Sequence, residues 1–124
     1  MSEPTVLYVE DNEYNRKIVR QLLSRSPYRL IEAMDGETGI ELAQQQLPDL
    51  ILMDVQLPRM SGLDAVQVLK ADTRTSHIPI IVITSYALSG DREKSMKAGA
   101  SGYLAKPYSP RELLALIRQY LPTP

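Results

Sequence analysis

LILMDVQLPRMSGLDAV, residues 50–66, sets four apolar residues in a row and closes them on an acid. A run such as Leu50 to Met53 suits a strand covered on both faces, as strands of a parallel sheet are. Asp54 follows with no polar approach. Pro58, Ser61 and Gly62 then punctuate the chain before apolar residues return at helical spacing. A core strand that delivers one carboxylate to a turn asks for a reason beyond packing.

The same alternation of short apolar run and longer amphipathic stretch recurs along the chain. Candidate strands are TVLYV (5–9), RLIEA (29–33), LILMD (50–54), IIVIT (80–84) and GYLA (102–105). Helical patterns occupy about 13–25, 36–46, 62–71, 89–98 and 110–120. In the first, Tyr14, Ile18 and Leu22 are expected to share a face with Val19 and Leu23. Ser109-Pro110-Arg111-Glu112 reads as a capping box with proline at the first helical position, Ser61 as a second cap, and Gly99 as a helix end. Gly39, inside the second helix, is expected to cost a little helix stability. Strand–helix alternation predicts an α/β fold: a doubly wound, flavodoxin-like parallel sheet of five strands in order 2-1-3-4-5, with five helices on its two faces. One domain over residues 1–124 is the expected organisation, with no repeat or linker.

Composition narrows the function classes. Apolar residues make up 44% and charged residues 23%, and the formal charge is -1. No basic run stands out, so the expected partners exclude nucleic acid. Cysteine is absent, which removes disulfides and thiolate chemistry. No secretory signal or membrane-length apolar run is visible, so a cytoplasmic protein away from the membrane is expected.

In an open parallel sheet, ligands bind beyond the carboxyl ends of the strands. Those ends carry Glu10-Asp11, Asp54, Thr84-Ser85 and Lys106-Pro107. The predicted strand order makes the first and third strands neighbours, so three carboxylates are expected to converge beside one hydroxyl and one ammonium. Apposed acids raise one another's pKa or call for a cation, and oxygen-only ligands suit Mg²⁺. A carboxylate can attack phosphorus to form an acyl phosphate, while Lys106 and Thr84 serve the phosphoryl oxygens.

Taken in order, VLYVEDN, DLILMDVQLPRMSGLD, IPIIVITSYA and GYLAKP resemble the receiver domain of two-component response regulators, over essentially the whole chain. VEDNEYN and the short C-terminus are most similar to stand-alone, cell-cycle-type regulators and to receivers of hybrid kinases. The resemblance implies that Asp54 accepts a phosphoryl group from a partner histidine kinase or exchanges it with a histidine phosphotransferase. It implies Mg²⁺ held by Asp11 and Asp54, by Glu10 through a water, and by the backbone carbonyl of Gln56. Lys106 becomes the phosphate partner, with a cis bond to Pro107, and Thr84 and Tyr103 the switch pair. Gln56, Ser85 and Tyr86 become modulators, and bulky Tyr86 is expected to slow loss of the phosphoryl group. The face formed by the fourth helix, fifth strand and fifth helix is expected to meet a downstream protein. Such a protein catalyses only its own phosphorylation and dephosphorylation, without a separate substrate.

Plainer readings compete. Asp54 alone could begin a turn, Glu10-Asp11 could answer a helix dipole, and His77 reads as a surface residue. A flavodoxin-type electron carrier shares the architecture, but the acids of EDNEYN would repel a flavin phosphate. An aspartyl-phosphate enzyme is disfavoured by Gln56, which stands where a second acid would be needed. A receiver cut from a longer protein is the remaining alternative; Met1 and the ending YLPTP favour a complete chain.

Overall fold

Five parallel strands, β1 (Thr5–Val9), β2 (Arg29–Ala33), β3 (Leu50–Asp54), β4 (Ile80–Thr84) and β5 (Gly102–Ala105), form one sheet in the order β2-β1-β3-β4-β5. Five helices connect or follow them: α1 (Glu13–Leu23), α2 (Gly36–Gln46), α3 (Gly62–Ala71), α4 (Asp91–Ala98) and α5 (Pro110–Tyr120). The computed structural model describes residues 3–85 and 90–122. All five strands coincide with the predicted ones. The first helix is shorter than the periodicity suggested and ends at Leu23, where Ser24 closes the last turn. The expected start of the fourth helix, residue 89, lies outside the described residues, and α4 runs from Asp91.

Side-chain alternation along the strands divides the core in two. Leu7, Val9, Ile51, Met53, Ile80 and Val82 face one side, where Ala43 of α2 and Ala65, Val66 and Leu69 of α3 cover them. Val6, Tyr8, Leu50, Leu52, Ile81 and Ile83 face the other, against Val19 and Leu23 of α1 and Leu113 and Ile117 of α5. The expected face of α1 is corrected here. Its buried residues are Arg16, Val19 and Leu23, while Tyr14 is 70% exposed and Ile18 lies at the surface. Arg16 turns the helix this way, because its guanidinium reaches back to the carbonyl of Glu10 at 2.7 Å.

Two glycines set close approaches. A Cβ on Gly39 would stand 2.7 Å from a methyl of Val9, so the residue that weakens α2 intrinsically also lets it settle on β1. A Cβ on Gly62 would stand 2.0 Å from the carbonyl oxygen of Asp54, so the chain after β3 folds back directly onto the strand's last residue. The expected caps form: Ser61 accepts from the backbone N–H of Asp64, Ser109 and Glu112 make a reciprocal capping box, and Gly99 ends α4. Among the described residues no helix is long and apolar enough to cross a membrane.

Candidate functional site

Register brings the strand-end residues together. Val9 pairs with Met53, Asp54 with Ile83 and Thr84 with Ala105, so Glu10, Asp54 and Lys106 emerge at one edge of the sheet. By alternation, Glu10 and Asp54 continue the side of Tyr8 and Leu52, and Lys106 continues that of Leu104. Thr84 continues the side of Val82, toward the other core.

Glu10 is 1% exposed and Asp54 is 2% exposed. Lys106 Nζ donates to both, at 3.0 Å to Glu10 Oε1 and 2.9 Å to Asp54 Oδ2. Glu10 also accepts from the hydroxyl of Tyr8, the side-chain amide of Asn15 and the backbone N–H of Asn12, each at 3.2 Å. Asn12 caps α1 by accepting from the N–H of Asn15, so one turn of helix both starts and holds the acid. The peptide bond from Lys106 to Pro107 is cis, as expected from the motif.

Electrostatics separate the two buried acids. Burial and the neighbouring carboxyl of Glu10 push Asp54 up to about 7, against the pull of Lys106. Burial also penalises the Glu10 carboxylate, but hydrogen bonds from Asp54 and Lys106 outweigh that and hold it down, to about 2. For Lys106, burial is overcome by the two acids, which raise it. Asp11 is raised as well, through partial burial and the hydrogen bond and charge of Glu10. The cluster therefore holds more negative charge than one lysine comfortably balances.

The expected three-acid convergence is only partly formed. Among the described residues no three acidic or histidine side chains are grouped as a ready-made metal cage. Glu10 and Asp54 meet around Lys106, and Asp11, exposed to solvent, adjoins them from outside through Glu10. The ammonium already supplies positive charge between the inner pair, which explains why they can approach so closely.

Gln56 is placed where sequence reasoning did not anticipate it. Its backbone N–H donates to Asp54 Oδ1 at 2.9 Å, and its side-chain Nε2 donates to Thr84 Oγ1 at 2.9 Å. Its Oε1 accepts from the N–H and hydroxyl of Ser85, at 3.2 and 3.3 Å. Thr84 is fully buried. Tyr103 is half-buried against the α3–α4 core, and Tyr86 lies outside the described residues. The supports of Glu10, namely Tyr8, Asn15 and Arg16, were also missed. A polar residue on the inward face of α1 at Arg16 was the available signal.

An open groove lined by Asn15, Ile18, Lys106, Pro107, Tyr108 and Pro110 leads to this edge. In chemical terms, the arrangement offers two buried carboxyl groups sharing one ammonium, with the Thr84 hydroxyl linked to them through Gln56.

Comparison with known proteins shows the fold and the family. The chain is 42% identical over 117 residues to the polar-differentiation response regulator DivK of Brucella anthropi, covering 94% of this chain and 95% of that one. The receiver domain of a Pseudomonas aeruginosa sensor histidine kinase, solved with a magnesium ion coordinated in the active site cleft, superposes with a TM-score of 0.89. It is 34% identical, and the match covers 98% of this chain and 100% of that one. The chemotaxis protein CheY4 of Vibrio cholerae gives a TM-score of 0.90 at 28% identity, over 96% of this chain and 99% of that one. Residues 6–118 match the model of the response regulator receiver domain, and the chain belongs to that family.

Proposed function

We propose that this receiver, acting as one module over residues 1–124, takes a phosphoryl group on Asp54 and signals through protein contacts that depend on it. The observation that carries the reading is the pairing of a nearly inaccessible Asp54 with Lys106 at 2.9 Å, beside a second buried acid. A carboxylate held rigidly at a strand tip, with its counter-charge in place, is suited to in-line attack on phosphorus. The Asp54 oxygen forms a bond to phosphorus as the bond to the donor's imidazole nitrogen breaks; the imidazole leaves with the electron pair and takes up a proton. Lys106 neutralises the charge that gathers on the phosphoryl oxygens, and Thr84 donates to one of them.

The donor set suits magnesium: carboxylate oxygens of Asp11 and Asp54, Glu10 through water, and the carbonyl of Gln56, with Asp11 accessible from solvent. The ion would supply positive charge to the excess of acids and to the incoming phosphoryl group.

Receivers work with histidine kinases or phosphotransfer proteins, and that is the expected donor here. The reading adds a downstream protein contact on the face of α4, β5 and α5, with Thr84 and Tyr103 as the switch pair, Ser85 and Tyr86 as modulators, and turnover limited to the protein's own phosphoryl group. A cytoplasmic setting, without nucleic acid or membrane, fits the balanced charge and the absence of a basic run.

The test is incubation with Mg²⁺ and acetyl phosphate followed by intact-mass measurement. One added phosphoryl group is expected, absent in Asp54→Asn and absent when a chelator removes the cation. Labelling that survives the substitution overturns the assignment of Asp54, and labelling that survives chelation overturns the role of the ion.

A further inference from the structure

Asp54 is closed in on both oxygens, by Lys106 on Oδ2 and by the backbone of residue 56 on Oδ1. The same residue 56 extends its side chain across to the end of β4. There its amide takes the two donors of Ser85, the N–H and the hydroxyl, on Oε1, and donates from Nε2 to the hydroxyl oxygen of Thr84. The carboxamide is planar, so donating to Thr84 and accepting from Ser85 together fix its orientation and the spacing between these two residues.

We propose that the Gln56 side chain is a positioning residue that latches Thr84 and Ser85 away from the phosphoryl site until a phosphoryl group displaces it. The inference rests on the function proposed above. Gln56 Oε1 acts as a resident acceptor at the end of β4, so a phosphoryl oxygen must compete with it for the N–H and hydroxyl of Ser85, while the bond from Nε2 holds the Thr84 oxygen in place. Each amide bond surrendered costs a small free energy, which raises the barrier to adopting the phosphorylated arrangement without touching Asp54 itself. Register separates the two groups: Glu10, Asp54 and Lys106 continue one side of the sheet and Thr84 the other, and Gln56 links them, with its backbone on Asp54 and its side chain on Thr84.

Beryllofluoride, which mimics a phosphoryl group on a carboxylate, tests this with Mg²⁺ present. Wild type, Gln56→Met and Gln56→Asn are titrated while the Ser85 amide is followed by ¹H–¹⁵N NMR. Methionine keeps the length without the amide, and asparagine keeps the amide one methylene too short to span. Both variants are expected to bind beryllofluoride about fivefold to tenfold more tightly. In both, the free-protein Ser85 resonance is expected to move toward its position in the complex. Preserved melting curves verify that each variant is folded. Unchanged or weaker binding in either folded variant overturns the latch, as does a Ser85 resonance that stays in place. Failure of wild type itself to bind beryllofluoride overturns the proposed phosphoacceptor function instead, so the two failures are distinct.

Discussion

Helices α1 and α4 lie on opposite faces of the sheet, α1 toward β2 and α4 toward β5, and are held in opposite ways. Asn12 caps α1 with a side-chain hydrogen bond, and Arg16, Val19 and Leu23 anchor its inner face. Arg20 then grips Glu32 of β2 through two nitrogens, at 2.7 and 2.8 Å. α4 starts at Gly90 with no side-chain cap and buries only Ser95 and Ala98. The lesson concerns which side of the site can move. Glu10 leaves β1 just before the fastened helix, whereas Thr84 ends β4, the strand that precedes the lightly fastened one in the chain.

The strongest way to break that contrast is to remove the cation on the fastened side. Lys106→Met leaves Glu10 and Asp54 apposed without their shared counter-charge. Phosphorylation by acetyl phosphate is expected to slow by on the order of a hundredfold, measured as the rate of mass gain at saturating Mg²⁺. A rate within a few-fold of wild type contradicts the role given to Lys106.

Amide exchange sharpens the comparison directly. Amides in the middle of α4 should exchange at least about tenfold faster than those around Val19 in α1, because few apolar contacts oppose local opening. Equal protection in the two helices would remove the basis for assigning motion to the α4 side.

The smallest effect concerns pH. Asp54 is pushed up to about 7 from an ordinary value of 3.8, so the folded protein retains a proton that the unfolded chain has already released. Stability therefore falls as pH rises through that window. Glu10, held down to about 2, acts in the opposite sense, but its contribution is lost only as pH falls below about 4.5. In chelator, between pH 4.5 and 7, the melting temperature of wild type should decline relative to that of Asp54→Asn. Added Mg²⁺ should shrink the decline, since a cation favours the ionised carboxylate. Parallel curves in chelator would refute the shift.

The fold was legible where local pattern and burial say the same thing. Leu50–Met53 and Ile80–Ile83 are apolar because both faces of their strands are covered; alternation implied the parallel sheet, and the order of the strands came from the fit of five units to a flavodoxin-like sheet. The acids and Lys106 were legible too, since a strand end in such a sheet points to the site whatever the intervening sequence. Arg16 was not: a charged residue on a buried stripe breaks the periodicity by which the stripe is recognised. Its partner, the Glu10 carbonyl, has no sequence signature. Gln56 was read only as a modulator with a useful carbonyl, because its side-chain partners lie 28 and 29 residues away. Gly39 was read through helix propensity, whereas its close contact with Val9 belongs to tertiary packing.

Gly62 brings its backbone hard against the carbonyl of Asp54, with no side chain between them. Behind the acid, then, there is no cushion. A partner that presses a phosphoryl group onto Asp54 meets a post that cannot recoil. The displacement must be taken up sideways, by Lys106, whose bond to Asp54 is made by a side chain that can let go, while the bond from residue 56 comes from the backbone.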